Sequence, residues 1–159
     1  MKWGNAAGPR MTEQPSASTG VNVIAIVNGV AACLHIVFWT FALRHLARLP
    51  LLETEGQRID RIVTAGLGVA DLAWSAPLLA IGSYWLYRRS FAGWLGAQMA
   101  NALWWYSYTF LIFRECAMGA LRPGTMIFLP FALFSLWSAY YLWRVRASFP
   151  LEKAAATEN

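Results

Sequence analysis

Charged residues are scarce in this sequence. Asp, Glu, Lys and Arg together make up 13% of the chain, about half the share of a typical soluble domain. An ordinary water-soluble domain is thereby excluded. Cysteine is nearly absent as well. Cys33 and Cys116 are the two, and they stand in no CxxC or metal-ligand spacing, so a disulfide-stapled fold and a metal site are not expected. Motifs for phosphate cradling (GxxxxGK), zinc hydrolysis (HExxH) and a nucleophile elbow (GxSxG) are missing too. No cofactor is called for. The 13 Lys and Arg outnumber the 8 Asp and Glu, for a net charge of +5. Because the arginines fall at the ends of apolar runs, where such residues anchor to headgroups, this excess is not a nucleic-acid footprint.

What is abundant is apolar: 58% of the residues are hydrophobic, and 9 of them are tryptophan. Val21–Leu43, Ser90–Phe113 and Pro123–Trp143 contain no Asp, Glu, Lys or Arg, and Ile62–Tyr87 contains one, Asp71. Each run is near the roughly 20 residues that cross a bilayer as a helix. The expected fold is therefore an all-α membrane protein, an antiparallel bundle of four transmembrane helices. The spans fall at about 21–43, 62–87, 90–113 and 124–143. Residues 1–20, rich in Gly, Ala, Ser and Pro, read as a disordered tail, and residues 147–159 as a polar one. The stretch "RHLARLPLLETEGQRIDR" after the first span mixes arginines with acids and is expected along the membrane interface. "YWLYRR" and "YYLWRVR" form matching aromatic-then-basic helix ends on one side, which places both termini in the cytoplasm. Small residues at helical spacing (Ala25, Gly29 and Cys33; Gly93 and Ala97) point to close helix packing.

A carboxylate in lipid is costly and must be paired, neutral or hydrated. At about 1.5 Å rise per residue, Asp71 lies roughly 14 Å in from Ile62, near mid-membrane. His35 lies at nearly the same depth from Arg44 on the neighbouring span. The two are the candidate catalytic pair, expected within hydrogen-bond reach. Gln98, Asn101, Trp105 and Tyr108, spaced three, four and three apart, share one face of the third span. Ser135 on the fourth span, Asn28 on the first and Trp74 one turn after Asp71 complete a polar and aromatic layer that could bind a ligand. Polar residues also serve as interhelical glue, and for Asn28, Gln98 and Ser135 that role is the stronger expectation.

The second span, "DLAWSAPLLAIGSYWL", carries an acid, an aromatic residue three positions on, and a proline three beyond that. It resembles the second helix of the emopamil-binding and sigma-2-receptor family, compact membrane proteins that bind sterols and cationic amphiphiles. Some of them isomerise sterol double bonds with buried His and acidic residues. The resemblance implies a ligand-binding or proton-transfer role for Asp71 alone. The chain is also similar to small four-span membrane proteins of bacteria, from which no function follows.

Three function classes remain. The expected one is a small integral membrane protein that binds a hydrophobic or amphiphilic ligand, such as a membrane lipid, or serves as an accessory subunit of a larger membrane complex. The alternative is a lipid double-bond isomerase with His35 and Asp71 as base and acid. A small proton-coupled transporter using Asp71 is the third, weakened by the lack of an internal repeat. Binding is favoured over catalysis.

Overall fold

The computed structural model describes residues 15–48, 54–119, 121 and 123–149. All regular structure among them is helical: α1 (Pro15–Leu46), α2 (Glu55–Ala70), a π-helical turn (Asp71–Ser75), α3 (Ala76–Tyr87), α4 (Phe91–Met118), α5 (Pro123–Arg144) and a short 3₁₀ turn (Arg146–Ser148). The tail expected over residues 1–20 falls outside the described residues up to position 14, and α1 already begins at Pro15. Of the C-terminal tail, residues 150–159 lie outside.

Local sequence explains the boundaries. Helix α2 starts seven residues earlier than the apolar run, because Thr54 and Gln57 form a reciprocal capping box: the Thr54 hydroxyl accepts from the Gln57 N–H, and the Gln57 side chain accepts from the Thr54 N–H at 3.0 Å. Two orphan donors are thereby satisfied at the cost of one Thr and one Gln. Part of the segment expected to lie along the interface is therefore the first two turns of a helix. Ser90 caps α4 by accepting from the Gly93 N–H at 3.1 Å. Gly119 ends it with φ of 68°, a left-handed conformation natural to glycine.

α2, the π turn and α3 form one continuous rod, so four helical columns result. Their register is antiparallel throughout. Between the first and second columns, Asn22 meets Arg89, Ala25 meets Ser83, and Trp39 meets Asp71. Between α4 and α5, Trp94 bonds to the Leu142 carbonyl and Asn101 to Ser138, while Glu115 meets Thr125. Rising numbers on one column meet falling numbers on the next.

The closest packing lies between α3 and α4. A Cβ on Gly93 would stand 2.1 Å from the Leu86 backbone nitrogen, and one on Gly82 3.0 Å from the Ala97 nitrogen. In lipid, where apolar burial between helices gains little, such backbone contact supplies the dispersion energy that holds helices together. Between α1 and α3, Gly29 makes room for the Ser83 side chain, whose hydroxyl donates to the Ala25 carbonyl at 2.6 Å, but Cys33, expected on that face, is exposed.

The distribution of side chains is inverted relative to a soluble protein. Ile26, Phe41, Ile62, Tyr106, Phe113 and Ile127 are among the many large apolar residues that are mostly exposed, while Asn28, Asp71, Asn101, Glu115, Ser135 and Ser138 are buried. Apolar belts around a polar interior suit hydrocarbon. Among the described residues, three helical segments are long and apolar enough to cross a membrane: Thr19–Leu46, Glu55–Tyr87 and Thr125–Arg144. α4 has the length, at 28 residues, but Gln98, Asn101 and its run of Trp and Tyr lower its hydropathy.

Candidate functional site

The π turn positions the site. Pro77 has no N–H to offer the carbonyl of Ala73 four residues back, and its ring crowds that carbonyl. The turn ahead of it widens, and the Ala76 N–H bonds to the Asp71 carbonyl, an i to i−5 step. Single π turns of this kind recur at functional sites. Here the turn places Asp71 and Ser75 on the inner face, both buried.

Asp71 is only 7% exposed. Its Oδ2 accepts from the Trp39 indole N–H at 2.9 Å and its Oδ1 from the Ser75 hydroxyl at 2.9 Å. Trp39 packs closely against the helix because Gly68 leaves room: a Cβ there would stand 2.4 Å from the indole ring. Both carboxylate oxygens are thus met, which offsets the loss of water around them.

The expected hydrogen bond between His35 and Asp71 does not form. The His35 Nδ1 lies 3.1 Å from the Ala31 carbonyl, one turn back on its own helix. The depth match nonetheless brings the two residues to one place. A small cavity of about 30 Å³ is lined by both, together with Trp39, Ser75, Ser107 and Tyr108. One ordered water needs about 10–15 Å³. The cavity therefore has room for one or two water-sized groups, with polar partners around them.

On its other side His35 lines an apolar groove of about 340 Å³ between α1, α4 and α5, with Leu34, Phe38, Trp104, Phe128 and Phe131 among its walls. The imidazole stands edge-on to Trp104, with ring centroids 4.9 Å apart and an interplanar angle of 86°. Trp104 stacks on Phe131, their centroids 5.9 Å apart. The α5 wall brackets Pro130, a helix-interior proline that leaves the preceding turn without its usual bond. His35 is thus the partition between a small polar cavity and a larger apolar groove.

The other expected ligand-binding residues divide. Tyr108 is buried and lines the polar cavity. Trp74 does not belong to it: at 67% exposure it faces outward, because one turn from Asp71 across a π turn is not the same face. It lines a separate outer groove of about 430 Å³ with Met99 and Tyr106. Gln98 donates to the Ala139 carbonyl at 3.1 Å, and Asn101 donates to Ser138 at 3.2 Å and to Gln98 at 3.4 Å. These two fasten α4 to α5. Ser135 bonds back to the Ala132 carbonyl of its own helix at 2.8 Å. Asn28 is buried with its Nδ2 unpartnered, and Trp105 packs edge-on to Tyr108 with its indole nitrogen likewise unpartnered.

Trp39, Ser75 and Ser107 were missed in the sequence. The signal for the first two was spacing: Trp39 is four residues after His35, and Ser75 four after Asp71. A second polar cluster also escaped notice. Arg114 donates to Thr64 at 3.0 Å and pairs with Asp60 at 3.7 Å, while buried Glu115 accepts from Thr125. It ties α2 and α5 to the end of α4. Among the described residues no group of three or more His, Cys, Asp or Glu is placed to hold a metal ion.

No family model, curated protein or solved structure matches this chain.

Proposed function

We propose that the protein is a four-span membrane protein that binds an apolar or amphiphilic molecule in the groove between α1, α4 and α5. One observation carries this reading: His35 is shared by the 340 Å³ apolar groove and the small polar cavity against Asp71. The groove is within the size range of small-molecule sites, which combine apolar walls with a few convergent polar groups. The tail of the ligand lies along Phe38, Phe128 and Phe131, and its polar end reaches past His35. Entry is lateral, from the bilayer.

In this arrangement α4 crosses the membrane with the others. Its 28 residues extend about 42 Å at the ordinary helical rise. Contacts with α5 run from Trp94 to Glu115. With four crossings both termini share one side. Arg88, Arg144 and Arg146, each folded onto Tyr84, Tyr140 or Trp143, mark that side as cytoplasmic.

Native mass spectrometry of the protein released from its own membranes, with identification of any bound molecule, tests the binding reading. A stoichiometric lipid or other apolar molecule is expected. Purely empty protein under conditions that preserve the fold would count against it.

A second reading, double-bond isomerisation of a lipid with His35 as base and Asp71 as acid, is favoured by their shared cavity. Solvent deuterium should then appear in the product without added cofactor. No label across a lipid panel, with folded protein, would remove it.

A further inference from the structure

The hydrogen-bonding character of the cavity restricts what the ligand can carry. A backbone carbonyl only accepts, so the His35 Nδ1, 3.1 Å from the Ala31 oxygen, bears the proton of that bond. In the neutral ring the lone pair is then on Nε2, at the tip of the imidazole away from its own helix. No hydrogen-bond partner for it is found among the described residues. Asp71 adds to the acceptors. A carboxylate has about four lone-pair positions, of which Trp39 and Ser75 occupy two. The hydroxyls of Ser107 and Tyr108 also line the cavity, and each can accept as well as donate. Tyr108 is 5% exposed, and its hydroxyl has no hydrogen-bond partner among the described residues. Among the described residues the His35 Nε2 receives no hydrogen bond, and Asp71, Ser107 and Tyr108 add further acceptors around it.

Resting on the groove reading above, we propose that the ligand is a neutral, long apolar molecule whose polar end is a hydroxyl, donating to the His35 Nε2. Size favours this head. A hydroxyl is the volume of the one or two water-sized groups that the 30 Å³ cavity admits. An ester, ketone or ether only accepts: it could take a bond from the Ser107 or Tyr108 hydroxyl, but against the His35 Nε2 it would set lone pair against lone pair. A carboxylate would do the same against both His35 and Asp71. An ammonium also donates, but its charge would give up its hydration in a groove walled by Trp104 and Phe128.

The test uses the full chain in lipid nanodiscs and 12-bromododecan-1-ol as probe, whose bromine quenches nearby tryptophan fluorescence. Saturable quenching is expected, and 1-dodecanol should displace the probe at about tenfold lower concentration than dodecyl methyl ether, the scale of one neutral hydrogen bond and a stranded lone pair. In His35→Phe the preference for alcohol over ether should vanish. His35→Gln, which keeps an acceptor, should retain part of it and guards against misfolding of the first variant. Equal displacement by alcohol and ether would overturn the hydroxyl assignment and leave the groove reading standing. Dodecylamine displacing the probe tenfold better than dodecanol would also overturn it, in favour of a cationic head. Absence of saturable quenching would overturn the groove reading and this inference together.

Discussion

The bond between Trp39 and Asp71 ties α1 to the π turn across the centre of the bundle, and its removal has a calculable consequence. Both residues are 7% exposed, and the donor–acceptor distance is 2.9 Å. Trp39→Phe keeps an aromatic ring over Gly68 but strands Oδ2 of the carboxylate. Leaving a buried acceptor unsatisfied costs about 1–3 kcal/mol. Asp71→Leu strands the indole N–H and the Ser75 hydroxyl, with a cost in the same range. In the double variant neither end of the bond is stranded, so the two costs should not add. Interhelical hydrogen bonds in membranes average about 0.6 kcal/mol and reach about 1.7. Asp71 is enclosed by protein and keeps no lipid-facing alternative, so the coupling should fall in the upper part of that range, at about 1–2 kcal/mol. Reversible unfolding in mixed micelles with rising sodium dodecyl sulfate measures it as a double-mutant cycle. Additivity within about 0.5 kcal/mol, the value for independent sites, would refute the claim that this bond is a principal link between α1 and the π turn. The same cycle between His35 and Asp71 should give a smaller coupling, because no direct bond joins them.

Other consequences are simpler. Gly93→Ala should destabilise the α3–α4 hairpin by about 2 kcal/mol or more, because its Cβ would meet backbone at 2.1 Å; Gly66→Ala, with nothing within 4 Å, should be neutral or stabilise by up to about 1 kcal/mol. Unfolding of the two variants side by side checks the contrast. Arg114→Met should cost about 2 kcal/mol, by removing its ion pairs with partly buried Asp60 and buried Glu115 and its bond to Thr64. Faster amide exchange in Glu55–Ala70 than in α3 would be its signature. A green fluorescent protein fused to the C-terminus should fluoresce and alkaline phosphatase at the same place should be inactive; the reverse pattern would overturn the cytoplasmic placement.

Much of the architecture is legible in the residues themselves. Long runs without charge announce membrane helices, and matched distances from helix ends put His35 and Asp71 at one depth. Depth is a one-dimensional quantity, however, and a hydrogen bond requires the right face as well. The face presented by Asp71 depends on a π turn that follows from Pro77, six residues away. A regular 3.6-residue helix carried through this turn put Trp74 in the site, whereas Ser75, four residues after Asp71, falls on the aspartate's face in either geometry. The capping box at Thr54 was visible as a short pattern, but it lay among charges that read as an interfacial loop. The groove was the least legible feature. It depends on how α1, α4 and α5 splay around Phe128 and Pro130, which no single stretch of sequence encodes.

Binding in that groove is tested most directly by photo-crosslinking with a diazirine placed along the chain of a long-chain alcohol, followed by residue-level mapping in nanodiscs. Saturable label on Leu34, Phe38, Ile127 and Phe131, competed by unlabelled 1-dodecanol, is the expected result. Label that follows lipid exposure alone, or gathers on the outer groove at Trp74, Leu78 and Met99 without saturation, would contradict it.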